Sequence, residues 1–250
     1  MVFSTFSSLP VPIIEWDERN MRYMMCFLPF IGLLIGVFIL AWWFLCNVLA
    51  FGVFLRAVGL LAIPYFVTGG IHLDGFADVT DALSSHAEPE RKREILKDPH
   101  IGAFAGMGIA MYLILYLGFA TEVELSWQTP LMLCFMHALS RLSNSYSVLF
   151  KKNSSEEGMV ASFRKYAASK RNSFIILAVQ TLIYVGAMAL INPLACVLMV
   201  LGCVVNFLCV TTLAKRQFGG MSGDLAGCLC QTAELVMLVL LVLSQRLVIL

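Results

Sequence analysis

Seven apolar blocks set the limits on what this chain can become. They cover approximately residues 28–46, 48–67, 102–119, 131–150, 174–191, 194–213 and 226–243, each close to the roughly 20 residues a helix needs to cross a bilayer. The first and fifth are unbroken, whereas 131–150 carries enough polar side chains to leave its crossing open. Only 13% of the residues are charged, about half of the roughly 25% found in an ordinary soluble domain. A soluble enzyme is thereby excluded, and the expected fold is an all-α, polytopic integral membrane bundle of about six to seven transmembrane helices. No internal repeat, low-complexity run or Gly/Ser linker divides the chain, and its connecting segments are too short to fold alone. One domain over residues 1–250 is the expectation. No Lys or Arg precedes Arg19 and there is no short apolar core there, so the N-terminus does not read as a cleaved signal.

The 17 Lys and Arg nearly balance the 16 Asp and Glu, which excludes a nucleic-acid partner or a polybasic anchor founded on overall charge. That balance hides a segregation. Lys and Arg number 2 before the first block, 4 in residues 68–101, 6 in 151–173 and 2 in 214–225, and a single one follows the last block. None occurs at the first turn, in 120–130 or at Asn192-Pro193. By the positive-inside rule the N-terminus and the three basic loops face the cytoplasm, and the C-terminus lies outside if all seven blocks cross. Of the 33 charged side chains, 27 fall on that side. Polar chemistry is therefore expected at the cytoplasmic face of the inner membrane of a prokaryote. The eight Cys lie mostly inside apolar blocks, with no CxxC pair or Cys/His metal spacing, and read as small packing residues.

The most informative stretch directly follows the second block: Thr68-Gly69-Gly70-Ile71-His72-Leu73-Asp74-Gly75-Phe76-Ala77-Asp78-Val79-Thr80-Asp81. If it is helical, Asp74, Asp78 and Asp81 stand at i, i+4 and i+7 and share one narrow stripe. Like charges at that spacing repel, and a bound divalent cation would remove the conflict. Carboxylate oxygens are the ligands Mg2+ prefers, commonly one or two together with water and substrate phosphate. The bland alternative is a solvated acidic helix end with Asp74 as its N-cap. His72 is as well suited to orienting an Asp as to acting as acid or base.

Three further features belong with it. Residues 87–98 read as a short amphipathic helix carrying Arg91, Lys92, Arg93 and Lys97, with Lys97 and Asp98 at the mouth of the Gly-rich entry to the third block. Gly219-Gly220-Met221-Ser222-Gly223-Asp224 forms a Gly-rich turn before the last block. Such a turn at a helix N-terminus can offer backbone N–H groups to phosphate, and Asp224 could add a carboxylate to a metal site. Within the fourth block, His137, Arg141 and Asn144 repeat the i, i+4, i+7 spacing beside Ser140 and Ser147. Ionisable groups inside a membrane are functional by default, so Arg141 is expected to face a phosphate-binding cavity. The alternative is a structural partnership with Glu234. Arg56 reads as structural or snorkelling.

Together these residues resemble the cobalamin synthase family, the adenosylcobinamide-GDP ribazoletransferases. The family pattern is a TGG-x-H-x-DG-x-x-D-x-x-D segment, then KD-x-x-IG-x-x-G, then GG-x-TGD-x-x-G before a last helix carrying Glu. Thr68, Gly69, Gly70, His72, Asp74, Gly75, Asp78 and Asp81 meet the first. Lys97, Asp98, Ile101, Gly102 and Gly106 meet the second. The third is met with Ser222 in place of Thr, and with Gly227 and Glu234. The likeness runs from Ser8-Leu9-Pro10-Val11-Pro12 to the last block. Pro99-His100 and Ala103 depart from the expected polar residues, and Ala82 replaces a Gly.

The resemblance implies joining of adenosylcobinamide-GDP to alpha-ribazole or its 5'-phosphate, with GMP leaving. It implies Mg2+ on Asp74, Asp78 and Asp81 with Asp224 at a second position, and substrate held by Lys97, Asp98, Arg141 and the turn of Gly219, Gly220, Gly223 and Asp224, with Lys97 and Arg141 on phosphate oxygens. His72 or a carboxylate would take the hydroxyl proton. Expected partners are these substrates, the lipid bilayer and other cobalamin-assembly enzymes at the membrane, with an oligomer allowed. Two rivals are weaker. A CDP-alcohol phosphotransferase would need DG-x-x-AR, and no Arg follows Asp74-Gly75 at that place. An ion-coupled transporter built on Arg141 and Glu234 would call for midplane acids and an inverted repeat.

Overall fold

The computed structural model describes residues 1–12 and 14–249. Its helices are α1 (Val2–Phe6), α2 (Glu18–Met21), α3 (Met24–Phe27), α4 (Pro29–Val48), α5 (Val53–Thr68), α6 (Ile71–Ser84), α7 (Pro89–Ile95), α8 (Ala103–Thr121), α9 (Gln128–Phe150), α10 (Met159–Lys165), α11 (Lys170–Ile191), α12 (Pro193–Phe218) and α13 (Gly223–Ile249). Each of the seven apolar blocks lies on a long helix, so the chain is a polytopic membrane helical bundle. Among the described residues, five spans are long and apolar enough to cross a membrane, with Met24–Val48 counted as one. The α5–α6 pair adds a sixth if its halves are taken together, but they are bent by 96°.

The polar block becomes α9, and its place explains its composition. Of its 23 residues, 18 are buried, because α4, α11 and α13 pack around it. Its polar side chains therefore meet protein instead of lipid. Gly32 and Gly36 of α4 lie against the α9 backbone at His137 and against Cys134, the small-xxx-small spacing that lets membrane helices approach closely. Arg56 is structural, as one reading of it held: its guanidinium donates to Asn47 Oδ1 at 3.1 Å and lies over the Trp43 ring at 5.0 Å.

The bend after α5 comes from Gly69 and Gly70, with φ of 64° and 80°. Two successive left-handed residues are costly for anything with a Cβ. They turn the chain so that α6, helical throughout the acidic segment, leaves the line of α5 and packs on α13 and α8. We therefore read α6 as lying outside the spans. The helix expected over residues 87–98 is shorter, ending at Ile95. At the opposite end of the bundle, the Glu124 N–H donates to Gln245, Gln128 donates to the Ile191 carbonyl, and Arg246 pairs with Glu122.

Candidate active site

The four charged segments meet at one end of the bundle, around a cavity of about 870 Å3. Its walls include Phe6 from the N-terminal segment, His72 and Asp74 from α6, Arg93 and Lys97 from α7 and the turn after it, residues 153–161, and Ser222, Gly223 and Asp224 at the start of α13. Segments more than 200 residues apart, from Phe6 to Asp224, thus share one polar chamber, as the charge segregation anticipates.

Two glycines hold the centre together. A Cβ on Gly75 would lie 2.8 Å from the Asp224 backbone, and one on Gly227 would lie 3.1 Å from the His72 carbonyl oxygen. The α6 and α13 backbones therefore touch, and this contact places Asp224 beside the acidic stripe. The Asp78 carboxyl is pushed up to about 6, first by burial and then by the charges of Asp74, Asp224 and Asp81. Carboxylate oxygens whose proton affinity is raised by one another's charge have the chemistry that suits Mg2+. Among the described residues, however, no three His, Cys, Asp or Glu side chains converge tightly enough to grip a metal ion as they stand. The carboxylates share a surface more than a point.

Length along the helix explains part of this. Asp81 lies seven residues beyond Asp74, about 10 Å at 1.5 Å per residue, so the aligned stripe reaches past the cavity. There the Asp81 carboxylate accepts from the Ala105 N–H at 3.3 Å and lies against Gly102. It supplies the N-terminal cap that Gly102 cannot.

His72 is buried at 3% exposure, stacks on Phe6 at 6.5 Å between ring centroids, and leaves its Nε2 without a partner. Burial and then the nearby Arg141 charge hold its imidazole down at about 3, so it is neutral across the physiological range. That makes it a hydrogen-bonding group and a weak proton acceptor. Lys97 is exposed at the rim. Asp98, also exposed, is turned away onto His100, accepting from its backbone N–H at 3.0 Å and pairing with its ring at 2.7 Å. This pairing keeps the Asp98 carboxyl below its ordinary range.

Two sequence expectations are corrected. Arg141 does not face the cavity: it is fully buried and paired with Glu234, with Ser140 Oγ at 2.8 Å from its guanidinium. Inside a bundle a carboxylate satisfies the guanidinium charge better than an open chamber does. Gly219 and Gly220 do not offer their N–H groups to a ligand either. Gly219 ends α12, and its neighbour Gly220 donates its N–H to the Ala214 carbonyl. The turn then closes on residues 152–154, where the Met221 N–H donates to Lys152 and the Ser154 N–H donates to Met221. Gly223 alone of the three lines the chamber. Ser222 caps α13 by accepting from the Leu225 N–H at 3.2 Å, so its hydroxyl serves where the family pattern has Thr.

The sequence reading missed Arg93 and the 153–161 wall. Arg93 looked like part of a solvated helix face, and nothing local marks residues 153–161 as a wall. The only advance signal was their position in the most basic of the charged segments.

Comparison with known proteins decides the family. The sequence model of Cobalamin-5-phosphate synthase matches residues 1–242. The chain belongs to the cobalamin synthase family. It is 36% identical over 249 residues to an adenosylcobinamide-GDP ribazoletransferase of Lachnoclostridium phytofermentans, covering all of this chain and 94% of the relative. A protein of the same name from Clostridium perfringens is 32% identical over 244 residues, covering 96% and 95% of the two chains. One from Geobacillus thermodenitrificans is 28% identical, covering 94% and 90%. No solved structure matches. The chain is thus a transferase of cobalamin biosynthesis, and the resemblance read from its motifs holds over its length.

Proposed function

We propose that the chain joins adenosylcobinamide-GDP to alpha-ribazole or its 5'-phosphate, releasing GMP, in the chamber beside Asp74 and Asp224. The reading is carried by the convergence of all three motif segments, through His72, Asp74, Lys97, Gly223 and Asp224, on that one cavity. A ribose hydroxyl oxygen forms a bond to the phosphorus bearing the cobinamide arm, the bond from that phosphorus to the GMP oxygen breaks, and the hydroxyl proton passes to a carboxylate. Transfer of this kind asks a protein for positioning and charge neutralisation more than for covalent help.

Asp74, Asp78 and Asp224 are the residues placed to hold Mg2+, with Asp81 further along the stripe. Bound there, the cation supplies neutralisation of charge on the diphosphate and the leaving oxygen. The approach of the α6 and α13 backbones at Gly75 brings Asp224 to the same side of the chamber as Asp74. Lys97 and Arg93 attract the phosphates at the rim, and the first N–H groups of α13 at Gly223 face them. His72 stays neutral and orients an oxygen through its free Nε2. The chamber lies at the basic end, which the positive-inside rule assigns to the cytoplasm.

The test uses purified protein in liposomes with adenosylcobinamide-GDP, alpha-ribazole and Mg2+, following GMP. Release that stops with EDTA and returns with added Mg2+ is expected. Absence of GMP, or release indifferent to EDTA, overturns the reading.

A further inference from the structure

A second cavity, of about 460 Å3, lies between α9, α11 and α12, away from the chamber. Leu142 and Tyr146 of α9, Phe174 and Val185 of α11, and Val200 and Phe207 of α12 line it. Its polar wall groups are already served within the protein: the Ser143 hydroxyl donates to the Ser140 carbonyl at 2.7 Å and the Thr181 hydroxyl to the Leu177 carbonyl at 2.8 Å. A hollow without free polar partners gives water no reason to stay. Lys151 stands at one end, its ammonium 5.0 Å from the centre of the Phe207 ring.

Basic side chains predominate in the segments around that end, where Arg164 donates to the Lys151 carbonyl; Glu156 and Glu157 lie on the loop between them. From residue 158 to residue 223 the sequence contains Arg164, Lys165, Lys170, Arg171, Lys215 and Arg216 and no Asp or Glu. Lys170 is exposed one helical turn before Phe174 and so shares its face. Lys215 and Arg216, also exposed, lie at the same end, in the last turn of α12. The groove has a depth to match. Its lining on α11 runs from Phe174 to Val185, about 16 Å at 1.5 Å per residue, or about half of the ~30 Å hydrocarbon core of a bilayer.

We propose that this groove binds one anionic phospholipid of the leaflet at the basic end, with an acyl chain along the groove and the headgroup phosphate at Lys151. Basic pockets between membrane helices recognise acidic headgroups in this way. The groove shares no lining residue with the catalytic chamber, so the proposal stands apart from the reaction assigned above.

Native mass spectrometry of the full chain, delipidated and then exposed to equal amounts of dioleoyl phosphatidylglycerol and dioleoyl phosphatidylcholine, tests it. One phosphatidylglycerol is expected to be retained in preference to phosphatidylcholine. Lys151→Gln should weaken that preference about five-fold, the effect of one cation near an acidic lipid surface. Val200→Phe or Val185→Phe, filling the groove, should abolish retention while elution stays monodisperse and GMP release is kept. Equal retention of the two lipids, or an unchanged preference in the groove-filling variants, overturns the proposal. The latter result would assign the attraction to the basic surface alone.

Discussion

At the residue scale, the site separates side chains that act on substrate from those that hold the scaffold. Asp74→Asn and Asp78→Asn remove a charge while keeping shape, so each variant should insert and elute as wild type while GMP release falls to background. Wild-type rates in either would return the stripe to a solvated helix end. Arg141 behaves differently because it is sealed beside Glu234. Arg141→Met leaves a buried carboxylate unpaired and should destabilise the protein in detergent by about 3–5 kcal/mol, read as a lowered thermal unfolding midpoint. Arg141→Met combined with Glu234→Leu should recover most of that loss, and GMP release should recover with it. A stable but inactive double variant would mean that Arg141 touches substrate after all. The spacing that exposed the Asp stripe also revealed His137, Arg141 and Asn144, but spacing alone cannot tell a ligand-facing cation from a paired one. The deciding partner, Glu234, is 93 residues away.

At the element scale, the α6–α13 contact is the joint on which the chamber depends. Gly75→Ala places a methyl group 2.8 Å from the Asp224 backbone, and overpacking of this kind costs about 1–3 kcal/mol. Both the unfolding midpoint and GMP release should drop, because separating the helices also separates the carboxylates. Gly186→Ala is the matched control: nothing lies within 4 Å of its Cβ position, so relief of helix-interior glycine should stabilise α11 by about 0.5–1 kcal/mol. A tolerated Gly75→Ala would show that the joint has slack. Helix existence was legible from apolar block length, and the α6 helix from its acid spacing. The 96° bend was not, since Gly-Gly marks a break without giving its angle. The capping of α8 by Asp81 was likewise out of sight, because it depends on which helix lies beyond the stripe.

At the scale of the whole molecule, the two ends differ in kind. One gathers the N-terminal segment, α6, α7, α10 and the start of α13 around the chamber, and the other is closed by short links that carry no Lys or Arg. Ser155→Cys on the chamber wall should react with a membrane-impermeant maleimide only from the cytoplasmic side of oriented vesicles. Leu125→Cys, in the α8–α9 link, should react only from the other side. Labelling of both from one side would refute the topology. This segregation was readable from charge counts alone, because the cost of carrying Lys and Arg across a bilayer acts on each loop separately. The shape of the chamber was not, because residues 153–161 enter its wall after residues 152–154 pair with Met221, 67 residues beyond Ser154.

The burial of polar α9 at the heart of the bundle has a consequence for how the protein is made. An Arg at the centre of a helix opposes insertion by about 2.5–3.5 kcal/mol, and α9 leaves the ribosome well before Glu234 exists. At about 5–20 residues per second, the 93 residues separating the pair represent roughly 5–20 seconds of synthesis. During that interval α9 must be sheltered by α4, already made, or held at the insertion machinery until α13 arrives. A chain truncated before α13 would leave that shelter incomplete, and should be recovered as a degraded or unintegrated product although six of its seven long helices are present.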